Sequence, residues 1–450
     1  MARVVVVGGG MGGMAVAARL AKLGHSVTVV ERDTRLGGAV RTVTHRAPGI
    51  GEFRWNAGPD ATTLPAAVRD LFRKSGRPLE RVLELTAIDS PRRHVFADGV
   101  TVDLPIMSRA GQARALDATL GRAAADAWQR MVDDLSEPWE LLRTKVFEVP
   151  FKGVHTLGLR GIFRLAAARS LASYARDRLP MPALRQLLCY PVVATGSDPA
   201  AVPWWLAVQT YVERTFGVWT VTGPAGFARL AEALGDRLGE RHVEVRLNAD
   251  VTQILADSGQ VSGVELADGE RLPADIVVAG IDVRSVVRLL QHPPRSLRRA
   301  AHRLREPRPR RTIHLGVSEP LPDLPYETIF HPTPHDSGTL VLRAPDHPDL
   351  APDGYRAVTL LALDGIDMAE DPVRTLATRG IDLSGQIVVR QEDWSAAYGP
   401  HWPRRGFGFP PNATPLRGLY LVGGTSHPGP GIPWTLLGAA SVAALIGRAD

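Results

Sequence analysis

A single cysteine, Cys189, stands in 450 residues. No intramolecular disulfide can form, and a metal centre built on several thiolates is excluded. Long apolar runs are missing too, since no stretch reaches the ~20 residues that a membrane-spanning helix needs. The stretch 418–447 has no Asp, Glu, Lys or Arg, but Gly423, Gly424, Pro428, Gly429, Pro430, Gly431 and Pro433 break it. Arg3 leads directly into Val4–Val7 and then glycines, so the start of the chain does not read as a secretory signal. A cytoplasmic protein is expected, with peripheral contact at a membrane. Internal repeats and low-complexity tracts are absent. The net charge of +6 comes mostly from arginine, with no lysine-rich tail and no nucleic-acid module, so nucleic acid is not an expected partner.

What is present is an ordinary globular composition. A hydrophobic content of 44% with 22% charged residues argues against wholesale disorder. Val4–Val7 reads as a buried parallel strand, Met14–Leu23 as an alanine-rich helix capped by Gly24, and Ser26–Val30 as a second strand. The middle, roughly 104–214, reads as mainly helical, with helices over Ala110–Leu135 and Leu157–Arg178. A second α/β region follows: a helix over Gly226–Arg241, then strands at Val243–Leu247, Val251–Leu255, Val261–Leu266 and Ile276–Ala279. Strands are also expected at Ile313–Val317, Ala357–Leu363 and Leu419–Val422, with a last helix from about Trp434 to Ile446.

The chemistry is carried first by Gly8-x-Gly10-x-x-Gly13 directly after a strand. Gly8 permits the tight turn, Gly10 lets backbone approach a pyrophosphate, and Gly13 lets helix and strand pack closely. The helix N-terminus then offers free N–H groups and partial positive charge to the phosphates. Glu31 ends the second strand, where a carboxylate accepts from ribose hydroxyls. A glutamate there would repel a 2′-phosphate. Gly37-Gly38, with Arg41 nearby, suggests a second close backbone approach to a ligand whose pyrophosphate continues into a bulky ring system. The segment Leu419–Gly424, followed by His427-Pro428-Gly429-Pro430-Gly431-Ile432-Pro433 and a helix, sets another backbone and helix dipole against the same ligand.

On these residues the chain resembles the phytoene desaturase-like (carotenoid oxidoreductase) branch of FAD-dependent oxidoreductases, whose superfamily includes amine oxidases and protoporphyrinogen oxidase. Trp55-Asn56-Ala57-Gly58-Pro59 and Phe216-Gly217-Val218-Trp219 add to the likeness. The likeness covers both ends of the chain and 211–290, and is poor over 105–200 and 300–395. Ala39 stands where the branch usually has arginine, and Arg41 follows two later, a spacing similar to protoporphyrinogen oxidase. The resemblance implies an α/β fold with a Rossmann-like FAD-binding domain of the glutathione reductase type. That domain is expected from 1–103, 215–300 and 396–450, and a mainly helical plus sheet substrate domain from 104–214 and 301–395. It implies non-covalent FAD held by Gly8, Gly10, Gly12, Gly13, Glu31, Arg32, Gly37, Gly38, Arg41, Ala57, Gly58, Pro59, Val251, Gly423, Gly424, Gly431, Ile432 and Pro433.

No second GxGxxG is present, so a resident NAD(P) domain is not expected. The electron acceptor would be dioxygen or a quinone. The implied activity is desaturation of a hydrophobic isoprenoid, polyene or related natural product. The alternatives are an amine or protoporphyrinogen-type oxidase, or a non-redox polyene isomerase. Asp60 is the one charged base expected in the flavin-adjacent loops, which makes the site otherwise uncharged. The aromatic group Trp204, Trp205, Tyr211, Phe216 and Trp219 reads either as the wall of an apolar tunnel or as core packing. His427 reads as an acid or base, or as a loop histidine bonded to backbone, and Asp282 as a helix cap. Leu157–Arg178 reads as a membrane-surface helix through Arg160 and Arg164, or as a packed helix with a solvated arginine face.

Overall fold

The structure, a computed structural model, describes residues 1–165, 169–304, 310–333, 338–363, 371–395 and 408–449. A five-stranded, wholly parallel sheet lies under the glycine motif. Strand β1 (Arg3–Val7) is its centre, flanked by β2 (Ser26–Val30) and Ile276–Ala279, with Glu244–Arg246 and Leu419–Leu421 at the edges. Parallel neighbours require crossovers, and the first is helix α1 (Met11–Lys22). Its residues Met11–Leu20 are all buried. The small side chains Ala15, Ala17 and Ala18 let neighbouring helices approach on several sides. Those neighbours are the helices Ile432–Ile446 and Arg229–Glu240, which bury Leu436, Ala439, Leu230 and Leu234 in the same core. Each of these leucines contributes roughly 1.5–3 kcal/mol. The meander after Val251 forms a three-stranded antiparallel sheet, Val251–Asp257, Gln260–Leu266 and Arg271–Pro273.

The helical middle is confirmed, with differences. The helix expected over Ala110–Leu135 is two, Arg109–Leu120 and Arg122–Asp133, because Gly121 takes φ +87° between them. The helix expected over Leu157–Arg178 is also two, Gly158–Leu165 and Leu171–Arg178. Residues 166–168, and the side chains of Arg160, Phe163 and Arg164 on which the amphipathic reading leaned, lie outside the described residues.

The largest departure is a seven-stranded sheet. Its order is Ile387–Ser395, Arg310–Ser318, Tyr355–Ala362, Leu340–Arg343, Glu327–Phe330, Arg92–Val95 and Thr101–Leu104. Only one strand within 302–350 was expected, and the last two strands of this sheet come from the stretch assigned to the first domain. Arg92–Val95 pairs in parallel with Glu327–Phe330 across 235 positions of sequence, a partnership no local pattern announces.

Candidate active site

The glycine motif forms a cradle. At the end of β1 the chain turns through Gly8 (φ +98°), whose N–H donates to the Val30 carbonyl at 2.8 Å. Gly10 precedes α1 with no side-chain cap, and no acid stands in the helix's first turn. The first N–H groups and the positive end of the helix dipole therefore face outward without a side-chain acceptor. A Cβ on Gly10 would meet nothing within 4 Å, so the space over this backbone is open. A Cβ on Gly13 would collide with the Gly8 carbonyl oxygen, which is why helix and strand can pack only through glycine here. The second glycine pair backs the first: Gly37 N–H donates to the Gly9 carbonyl at 2.9 Å, and a Cβ on Gly38 would lie 3.2 Å from Gly10 Cα. This donor set and open backbone fit a dinucleotide pyrophosphate.

Glu31, just beyond β2, accepts from Gly9 N–H at 2.5 Å and from Asp33 N–H at 2.9 Å. Its backbone N–H donates to Arg246 and its carbonyl accepts from Ala249, which brings the approach to buried Val251 beside the cradle. Arg32 is exposed and lies 3.9 Å from Asp33. Arg41 faces Asp393 at 3.4 Å, and its carbonyl accepts from Ala57 N–H at 2.9 Å. That bond, and Gly58 packed against the Ala39 carbonyl, fix the 57–59 turn behind the Gly37-Gly38 loop.

The C-terminal motif closes the cradle's other side. Val422 N–H donates to the Ala279 carbonyl, and Gly423 turns with φ +114°. A Cβ on Gly12 would come within 3.0 Å of Thr435 Cγ2 and 3.3 Å of Gly423 N, so the beginnings of α1 and of helix Ile432–Ile446 abut. Gly431 (φ +112°) starts that helix, with Ile432 and Pro433 in its first turn. His427 is buried, its Nε2 2.8 Å from the Val146 carbonyl and its ring stacked on Phe151 at 4.9 Å. Burial lowers it to about 4, so it is a neutral structural group, in line with the backbone-bonded alternative. Asp282 caps the helix Val283–Leu289 by accepting from Arg284 N–H at 2.7 Å.

Between residues 59–63 and 430–434, the helical region and one face of the seven-stranded sheet lies a cavity of about 220 Å³. Ile88, Ile106, Val212, Val218, Ile432 and Trp434 make much of it apolar. The expected aromatic tunnel is a different matter. Trp205 packs on Phe147, Trp204 on Tyr174 and Phe216 on Trp139, and none of the five expected aromatics lines the cavity. They are core.

The expectation of an uncharged site is overturned. Cross-strand register sets Arg92, Glu327 and Arg343 side by side on one sheet face. Arg92 donates from Nε to Glu327 at 2.6 Å and from Nη1 to Glu213 at 2.8 Å. Arg343 donates from Nε to the other Glu327 oxygen at 3.0 Å and lies 2.9 Å from Asp60 through Nη1. The Tyr326 hydroxyl donates to Asp60 at 2.8 Å. Burial alone would raise the Glu327 carboxyl, but the two guanidiniums carry it below the usual carboxylate range. All five charged groups border the cavity, as do Tyr190 and Tyr326. Tyr190, buried under the Arg92 guanidinium at 5.1 Å, has its hydroxyl raised well above the ordinary value by burial.

Residues 11–379 match the family of flavin containing amine oxidoreductases. The chain belongs to that family. It is a flavin-dependent oxidoreductase with the dinucleotide-binding fold expected of one. Among curated relatives it is 28% identical to 4,4'-diapolycopene oxygenase of Methylomonas sp, over 97% of this chain and 96% of that protein. It is 26% identical to 4,4'-diaponeurosporene oxygenase of Staphylococcus aureus (strain Mu50 / ATCC 700699), over 98% and 97%. Solved structures with the same fold include cyclohexylamine oxidase from Brevibacterium oxydans IH-35A (TM-score 0.65, 16% identity, 99% of this chain and 98% of that one). A CLA-producing fatty acid isomerase from P. acnes also matches (TM-score 0.66, 14% identity, 99% and 98%). No helix among the described residues is long and apolar enough to cross a membrane.

Proposed function

We propose that this flavoenzyme holds FAD non-covalently and dehydrogenates a large apolar substrate of the isoprenoid or polyene class. The observation that carries the reading is the mostly apolar cavity bounded on one side by residues 59–63 and 430–434, which flank the glycine cradle. The curated relatives, named as oxygenases of 4,4'-diapolycopene and 4,4'-diaponeurosporene, support the same substrate class. The domain division follows: the cradle, Glu31, Val251 and the 423–433 motif hold the cofactor, and the helical region with the seven-stranded sheet holds the substrate. When bound, the flavin supplies an acceptor for hydride from carbon. This chain's residues do the rest. The backbone of Gly8–Gly13 and Gly37-Gly38 binds the pyrophosphate, and Glu31 takes the ribose hydroxyls. Gly431, Ile432 and Pro433 present the cavity to the flavin ring, and the apolar wall excludes water. Dioxygen or a quinone would serve as the electron acceptor. A substrate of this solubility suits peripheral contact with a membrane.

A second reading, amine oxidation, is favoured by one observation: Asp60, Glu213 and Glu327 border the cavity, three carboxylates against two arginines. Anaerobic titration of the holoprotein separates the two. Bleaching of the flavin by isoprenoid or polyene lipids and not by amines or porphyrinogens is expected. Bleaching by amines or porphyrinogens alone makes the second reading right.

A further inference from the structure

We infer that the cavity is built for an apolar molecule ending in a hydroxyl group, and that Arg92 and Glu213 are the residues that select that end. The inference rests on the reading of this cavity as the substrate cavity. Its physical basis is the set of unfilled hydrogen-bonding positions at one end of the ion-pair row. Asp60, at the far end, has both carboxylate oxygens engaged, one by Arg343 and one by Tyr326. Glu327, in the middle, has both engaged by arginines. Glu213 differs. Arg92 Nη1 holds its Oε2 at 2.8 Å, and no hydrogen bond among the described residues reaches its Oε1. Arg92 spends Nε and Nη1 on the two glutamates and leaves Nη2 without a hydrogen bond among the described residues. The two side chains are 14% and 20% exposed, so neither is sealed in the core. Both border the cavity.

The end of the row thus offers one open donor and one open acceptor on a directly bonded ion pair. A hydroxyl accepts from Nη2 and donates to Oε1, and it brings no charge. An ammonium only donates, and it would sit against a guanidinium. A carboxylate only accepts, and it would sit against Glu213. A hydrocarbon end strips water from both groups and replaces none of its hydrogen bonds, which is costly for charged groups. The apolar remainder of the wall, Ile88, Ile106, Val212 and Val218 among it, receives the body of the molecule.

The test uses the flavin-loaded protein under anaerobic conditions and reads the shift of the flavin absorption band as ligand is added. Four C15 isoprenoids share one chain and end in a hydroxyl, a hydrocarbon, a carboxylate or an ammonium. The alcohol is expected to bind about tenfold tighter than the other three, or more. Glu213→Leu is expected to erase that preference with flavin content at the parent value; because it leaves Arg92 one partner short it lowers the melting temperature, so binding is read well below the variant's own melting point. Glu213→Gln, which keeps an amide oxygen as acceptor, is expected to retain part of it. Equal binding of alcohol and hydrocarbon, tighter binding of the ammonium or carboxylate, or a preference that survives Glu213→Leu would each overturn the inference and leave the proposed function standing. If none of the four perturbs the flavin, the assignment of the cavity to an apolar substrate fails, and the inference with it.

Discussion

Gly10 and Gly13 lie three residues apart in one motif, and alanine at the two positions should fail in opposite ways. At Gly10 the backbone is extended (φ −72°, ψ 175°), a conformation any residue adopts, and an added Cβ meets nothing within 4 Å. Gly10→Ala should cost the apoprotein only the difference between glycine and alanine at a helix N-cap, roughly 1 kcal/mol or less. It places a methyl in the space that a pyrophosphate needs. At Gly13 the added Cβ collides with the Gly8 carbonyl oxygen, and Gly280 stands close to both Gly13 Cα and that oxygen. Neither contact is a flexible side chain that can swing away, so α1 must retreat from β1. Overpacking costs about 1–3 kcal/mol, and an obstacle made of backbone puts this site at the upper end. With ~2.1 cal/mol/K of unfolding entropy per residue, ~3 kcal/mol lowers the melting temperature of a chain this long by roughly 3 °C. The assay is differential scanning fluorimetry of the apoproteins beside flavin titration. Gly10→Ala should melt near the parent and lose flavin affinity by at least about tenfold, and Gly13→Ala should lose both stability and flavin. Parent-like flavin affinity in Gly10→Ala would refute the cradle.

Three further outcomes are expected. Glu327→Leu leaves Arg92 and Arg343 without their shared partner in a buried site and should destabilise by about 3–5 kcal/mol, read by urea unfolding. If the loss is under about 1 kcal/mol, the row is not a buried network. Acidification should destabilise the protein. His314 and His427 are lowered from 6.5 to about 4 and His331 to about 3, each chiefly by burial. Below pH 6.5 the unfolded chain takes protons that the folded one refuses, so stability falls from there to about pH 4 and then levels for the first two. A 2.5-unit difference is worth about 3 kcal/mol per histidine. A flat stability profile from pH 7 to 4 would contradict it. Neither NADH nor NADPH should rapidly bleach the flavin in anaerobic stopped-flow mixing, because a single dinucleotide fingerprint is present. Fast bleaching by either nucleotide overturns that expectation.

Much of the cradle was legible because its determinants are local. Gly8–Gly13, Glu31 and Gly37-Gly38 lie within about thirty residues of each other, and each glycine meets a steric demand that one dimension can express. The strand positions of the parallel sheet were readable for the same reason, as short β-branched runs such as Val4–Val7. The wall of the cavity was not legible. Arg92 meets Glu327 across 235 positions, through the pairing of Arg92–Val95 with Glu327–Phe330, and Tyr326 meets Asp60 across 266. The alternation in Arg92-x-His94-x-Phe96 was an available strand signal that charge and histidine obscured. The aromatic group misled because composition cannot say which way a tryptophan faces: Trp205 is core and does not reach the cavity, while Trp434, read only as the start of the last helix, is core and lines the cavity as well.

On the proposed function, this flavoprotein removes hydrogen from an apolar molecule held between residues 430–434 and the Arg92–Glu327–Arg343 row. A single anaerobic turnover tests it most directly. Oxidised holoprotein is mixed with an isoprenoid or polyene lipid in slight deficit, and the lipid is extracted and weighed by mass spectrometry as the flavin bleaches. The expected product is two hydrogens lighter, formed in step with flavin reduction. An unchanged mass with rearranged double bonds, or a flavin that only amines or porphyrinogens reduce, would contradict it.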